Sequence, residues 1–238
     1  MKRLVLLGIL FASGLSQAAE LYNNGPVVDE NGLSVVYDPA TTYGFGNQAD
    51  AGNAVADNFS IAAGSRWNVS SLDFFNYQTG ARGFTFGEAT WSIVSGDVNA
   101  GTVVASGVTK LSNGGLEGYR ITDGDVGNTQ RGIYRAHADV ADFSLDAGKY
   151  WLRWSISGSN QASGPWQPPT SDAHGGNAAQ AGLFTPFGPL DDGAGLGVEL
   201  PFTIHGSVSA VPEPETYAML MAGLFMVGAV ARRRKHAS

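Results

Sequence analysis

Lys149-Tyr150-Trp151-Leu152-Arg153-Trp154-Ser155-Ile156-Ser157 is the stretch that decides the fold. Tyr150, Leu152, Trp154 and Ile156 fall on alternate positions, with Trp151, Arg153 and Ser155 between them. A period of two puts the first set on one face of an extended chain and the second on the other. The pattern predicts a half-buried β-strand and makes Trp154 a core residue. Just upstream, Asp146-Ala147-Gly148 suits a tight turn, with Gly148 expected to supply a positive φ.

Further short apolar runs predict strands at 33–37, 55–61, 69–77, 89–94, 102–110, 119–122, 133–145 and 197–208. In the last of these Val198, Leu200, Phe202 and Ile204 share a face. Pro201 stands on the other face, which suggests an edge strand or a bulge. The segment 159–192 is rich in Gly and Pro and is expected to be irregular. No part of the body shows a convincing amphipathic helix. About nine short strands separated by turn residues indicate an all-β, antiparallel β-sandwich, of jelly-roll or immunoglobulin-like type.

Composition agrees. Only 15% of the 238 residues are charged, and 33 are Gly, where globular domains average about 25% charged and about 7% Gly. Yet 43% are hydrophobic and 11% aromatic, enough apolar surface to offset the entropy of ordering. The absence of Cys excludes disulfides, iron–sulfur clusters and thiolate metal sites. The formal charge of −7 is unevenly spread. Between Glu20 and Ala210, eight cations face nineteen acids, a formal charge of −11. Such a body repels phosphate backbones, so nucleic acid is excluded as a partner, and neutral ligands or cations suit it better.

The two ends differ from the body. Lys2 and Arg3, then the apolar run 4–15, then Ser16-Gln17-Ala18 follow the order of a secretory signal peptide. Residues 1–19 are assigned to it as a signal helix, with signal peptidase cutting after Ala18 or Ala19. At the far end stands Val211-Pro212-Glu213-Pro214-Glu215-Thr216. Two prolines at alternate positions keep this strip extended and accessible to a processing enzyme. Residues 217–231 carry no charge and are rich in Leu, Met, Ala and Gly. As a transmembrane helix they would span about 22 Å at roughly 1.5 Å per residue, short of a hydrocarbon core of about 30 Å. Arg232, Arg233, Arg234 and Lys235 would stay cytoplasmic, which leaves the body outside.

This order resembles the PEP-CTERM sorting signal of Gram-negative bacteria, in Val211, Pro212, Glu213, Pro214, Thr216, the apolar run with Gly223-Leu224, and Arg232, Arg233 and Arg234. Tails of this kind also carry the label of an ice-binding protein C-terminus, which describes the tail and implies no ice binding. The resemblance covers 211–238. It implies an inner-membrane intermediate, recognition and cleavage by an exosortase, delivery to the cell surface or matrix, and association with exopolysaccharide or biofilm. The bland alternative is a plain tail anchor.

Within the body, assigned to 20–210, few residues carry chemistry. Asp123-Gly124-Asp125-Val126-Gly127-Asn128 offers oxygens from Asp123, Asp125 and Asn128 around two glycines. Calcium prefers six to eight oxygens in a flexible loop, but no Glu stands at the twelfth position, and a solvated turn explains the same residues. Beyond calcium no cofactor is expected. Trp151 and Trp166 lie near the long loop and are the candidate platform for stacking on the face of a sugar; the alternative is that both pack the sandwich. His137, His174, His205 and His236 lack metal-ligand spacing. His137 and Asp139 could share a strand face. No Gly-x-Ser-x-Gly elbow and no phosphate loop occurs. Together these features predict an exported, non-catalytic surface or matrix protein that grips polysaccharide. The alternative is a carbohydrate-active enzyme on a jelly-roll scaffold, which requires two facing carboxylates in a cleft.

Overall fold

A computed structural model describes residues 18–172 and 175–210. The signal segment up to residue 17, the whole tail 211–238 with its expected membrane helix, and His174 and His236 lie outside the described residues. Among the described residues thirteen strands follow one another: β1 (Ala19–Asn23), β2 (Leu33–Val36), β3 (Phe45–Gly46), β4 (Ala54–Ile61), β5 (Ser65–Thr79), β6 (Glu88–Ser95), β7 (Thr102–Thr122), β8 (Gly132–Leu145), β9 (Gly148–Ile156), β10 (Ser163–Gln167), β11 (Ala179–Gly182), β12 (Thr185–Pro189) and β13 (Phe202–Ala210). Among the described residues the only helical element is a 3-10 turn, Ala49–Ala51. None of them forms a helix long and apolar enough to cross a membrane.

The strands form two layers. One runs β1-β13-β5-β8, continued by the second half of β7 and by β2. The other runs from the first half of β7 through β6, β9 and β4 to β11 and β12. Leaving aside β2 and the short strands β3, β10, β11 and β12, the orders β1-β13-β5-β8 and β4-β9-β6-β7 follow the double-sheet plan of two Greek keys, as in jelly rolls. Among the described residues every pairing between strands is antiparallel except β2 with β7, and an isolated bridge, Gln48 to Ile156, is also parallel. Aromatic rings lock the layers together. Phe59 of β4 stacks on Trp67 of β5 with centroids 5.9 Å apart, and Trp91 of β6 on Phe143 of β8 at 5.5 Å. Trp154 of β9 meets Phe74 of β5 at 5.7 Å and Phe202 of β13 at 5.8 Å.

The strand that fixed the reading behaves as its alternation requires. In β9, Tyr150, Leu152, Trp154 and Ile156 are buried, and Trp151, Arg153 and Ser155 are only half-buried. Four expectations need correction. Gly148 is not in the left-handed region. It opens β9 opposite Ile61, and a Cβ there would press on the Tyr150 ring at 3.3 Å. Glycine serves packing at this position rather than dihedral freedom. The runs 102–110 and 119–122 are one strand, β7, which leaves one sheet and joins the other. Segment 159–192 contains β10, β11 and β12, whose Gly and Pro content masked them. Finally, β13 is flanked by β1 and β5. Pro201 is tolerated because it stands just before the strand, where no ladder donor is needed; the bulge lies further on, at His205/Gly206.

Candidate functional site

The pairings orient the sandwich. Ala210 lies opposite Ser65, Ile61 opposite Gly148, and Ser95 opposite Thr102. Ala19 lies opposite Gly206, so β1 enters and β13 leaves at this same end. The connections here are short: 62–64, 96–101 and 146–147. At the opposite end lie the long ones, among them 37–44, 80–87, 123–131 and 190–201.

Long connections carry backbone polar groups that no ladder satisfies, and burying them unpaired is costly. Here buried side chains supply the partners. Gln78, at the end of β5, donates through Nε2 to Ser159 O, Ala162 O and Gly164 O, at 2.8, 3.1 and 3.3 Å. Its Oε1 accepts from Thr85 Oγ1 and Ser159 N. Gln167 donates to Pro168 O and Pro201 O, and accepts from Trp154 Nε1 at 3.2 Å. Arg120 of β7, only 3% exposed, donates from Nε to Tyr43 O at 2.7 Å and from Nη2 to Thr42 O at 2.8 Å. Its Nη1 reaches Ser34 Oγ and Val35 O. All four acceptors are neutral oxygens, and burial pulls the guanidinium pKa down to about 10.

Arg120 also lines a cavity of about 180 Å³ between the end of β2 and the connection 190–198. Val36, Pro39, Pro169, Leu196 and Val198 give it apolar walls, and Asp38, Asp192 and Thr170 add polar groups. Asp192 fastens the two walls, since its carbonyl accepts from Thr41 N and Thr42 N, both at 3.0 Å. Its Oδ1 accepts from Ala194 N at 2.8 Å and Leu196 N at 3.1 Å. Gly193, at φ +86°, sits so close that a side chain there would strike Thr41 Oγ1.

Two polar clusters escaped sequence reasoning. On the outer face of the first sheet, Asp73 of β5 is bound by His137 Nδ1 at 2.7 Å and by His205 Nε2 at 2.8 Å. His137 therefore pairs with Asp73 across the strands, while Asp139 lies opposite Ser71. Between the sheets, Asp57 of β4 is fully buried. Its Oδ2 accepts from Leu200 N at 2.6 Å and Asn24 Nδ2 at 2.9 Å. Asn24 Nδ2 also reaches Glu199 Oε2 at 3.1 Å, and the two carboxyl groups hydrogen-bond to each other. Burial, then the Glu199 charge, pushes Asp57 up to about 9, so it is protonated at neutral pH. Burial and the same two acids raise Tyr22 to about 12. Each outward or inward position was readable from strand alternation; which strands are neighbours was not.

The residues singled out from sequence do not converge. Trp151 projects from the outer face of the second sheet, since its neighbours Tyr150 and Leu152 fill the core. Trp166 lies opposite Tyr77 and packs with Phe75, Tyr77 and Ile133 on the outer side of the first sheet. The rings stand on opposite faces and make no common platform. Asp123, Asp125 and Asn128 lie in the connection from β7 to β8, where Asn128 Nδ2 donates to Asp125 Oδ2 at 2.7 Å. The same turn is closed by Asp125 N to Thr122 O. Among the described residues no group of three His, Cys, Asp or Glu is arranged to hold a metal.

No curated protein and no solved structure matches the chain. One family does match, over residues 210–235: the PEP-CTERM protein-sorting motif. It spans Val211, Pro212, Glu213, Pro214, Thr216 and Arg232 to Arg234, and begins at the last residue of β13. The chain thus carries a PEP-CTERM motif directly behind a β-sandwich body, and the motif marks it as a bacterial protein exported and sorted by an exosortase to the cell surface or beyond.

Proposed function

We propose that this chain is a non-catalytic component of the cell surface or extracellular matrix, associated with exopolysaccharide or biofilm. The observation that carries the reading is the join between fold and signal. The sorting motif starts at residue 210, where β13 ends, so the sandwich is the delivered cargo. Ala210 lies at the end with the short connections, so the long connections stand at the end remote from the start of the sorting motif. That end offers a walled pocket and little net positive charge, which suits an uncharged polymer better than nucleic acid.

The buried acid pair does not have the spacing of a glycosidase pair. Glycosidases hold two carboxyl groups about 5–9.5 Å apart with sugar between them. Asp57 and Glu199 instead touch, and share Asn24 as a donor.

The test is to express the protein in its native host, separate membranes from medium, and map the C-terminal peptide by mass spectrometry. A mature chain ending between residues 211 and 216, outside the inner membrane and retained on the host's exopolysaccharide, is expected. An intact chain through Ser238 in the inner membrane would leave a simple anchor. A correctly cut chain that ignores the polysaccharide would remove the proposed partner.

A further inference from the structure

The cavity between β2 and the connection 190–198 has a composition that selects its ligand. Its walls are apolar at Pro39, Leu196 and Val198. A guanidinium, Arg120, offers only donors, and two carboxylates, Asp38 and Asp192, offer only acceptors. An anion would meet Asp38 and Asp192 in a body of formal charge −11. A cation would meet Arg120, whose charge is buried and has no charged acceptor. A wholly apolar ligand would cover the Asp38 and Asp192 carboxylates without offering them a donor. What fits is a neutral molecule with apolar C–H faces and hydroxyls that both donate and accept.

We propose that this pocket binds a single neutral sugar unit, a chain end or side unit of an uncharged polysaccharide. The inference deepens the matrix reading and rests on it. A volume of about 180 Å³ is of the order of the ~150 Å³ cavity that holds a single six-membered ring, room for one pyranose ring. The pocket is built before the ligand arrives. Asp192 ties the two walls together through Thr41 N and Thr42 N and braces its own connection through Ala194 N and Leu196 N, and Arg120 is fixed by four acceptors. Little ordering entropy remains to be lost on binding. The pocket is separate from Trp151 and Trp166, which occupy the two outer faces of the sandwich.

The test uses mature protein purified from its host and the monosaccharides released by hydrolysing that host's exopolysaccharide, with glucuronic acid as the charged control. Saturation-transfer NMR and calorimetry report binding. One neutral sugar is expected to bind. Leu196→Trp, which fills the cavity from a loop position that is 47% exposed, should weaken it at least tenfold, whereas Trp151→Ala should not. Asp192→Asn keeps an oxygen for Ala194 N and Leu196 N while removing the charge. It should weaken binding several-fold at an unchanged denaturation midpoint, which guards against misfolding of the tryptophan variant. Preference for glucuronic acid, or wild-type affinity in both pocket variants, overturns the proposal. Polysaccharide binding that persists without any monosaccharide binding overturns the pocket and spares the matrix reading. Loss of both overturns the reading itself.

Discussion

At the end where the chain enters and leaves the sandwich, turns of two to six residues close the strands. At the other end, connections of up to a dozen residues are pinned by buried Gln78, Gln167 and Arg120. The first end is held by apolar packing: Phe59 touches Tyr22, Trp67, Tyr150 and Phe202. The second is held by directed hydrogen bonds. The difference teaches a division of labour. Packing lets short turns close the end beside the sorting tail. Polar anchoring lets long loops adopt one shape without becoming core, and loops carried on a rigid scaffold are where binding sites form.

Truncating the packed end should cost most. Phe59 is 2% exposed, and Phe59→Ala is expected to lower unfolding free energy by about 4 kcal/mol, read from urea denaturation. A loss below about 1 kcal/mol would mean the ring stack is not the main support of that end. At the far end, Gln78→Ala strands Ser159 O, Ala162 O and Gly164 O. It should cost about 2 kcal/mol and raise amide exchange locally, over 157–164. If exchange rises evenly over the whole body instead, the loops are not pinned one by one.

Asp57 links the comparison to pH. Its folded pKa is raised to about 9, so between about pH 4, where the unfolded carboxyl ionises, and about pH 9 the folded chain binds a proton that the unfolded chain has released. Stability from this group is complete below pH 4 and falls as pH rises through that window. Asp57→Asn should flatten the decline between pH 5 and pH 8.5. Equal slopes in variant and wild type would show that the proton does not reside there.

The sequence displayed the fold through alternation, and that was enough for β9, where each apolar residue is two from the next. It concealed β10, β11 and β12, because Gly164, Pro165 and Pro186 are turn residues by composition and strand residues only by their neighbours. It concealed the pocket for a deeper reason. Val36, Arg120, Pro169 and Leu196 come from four distant stretches, and no local period says that they meet. The histidines are the same case. Asp73 stands between His137 and His205 only because β5 lies between β8 and β13. The sorting tail was legible because its recognition is linear, a strip, an apolar run and a basic cluster read in chain order.

The smallest effect is expected where an interaction looks strongest on paper. Arg66 meets Asp146 with Nε to Oδ1 at 2.7 Å and Nη2 to Oδ2 at 3.1 Å, a two-pronged pair beside the turn at 146–147. Both side chains are exposed, at 46% and 65%, so water competes for each charge and salt screens what remains. The turn has other support, since Tyr150 donates its hydroxyl to Asp146 O at 2.9 Å from a ring seated among Phe59 and the core. Arg66→Ala should leave the urea midpoint unchanged within error, at low salt as at high. A clear drop that salt abolishes would mean that the tail end, too, depends on directed polar contacts. The contrast between a packed end and a pinned end would then reduce to a difference in loop length.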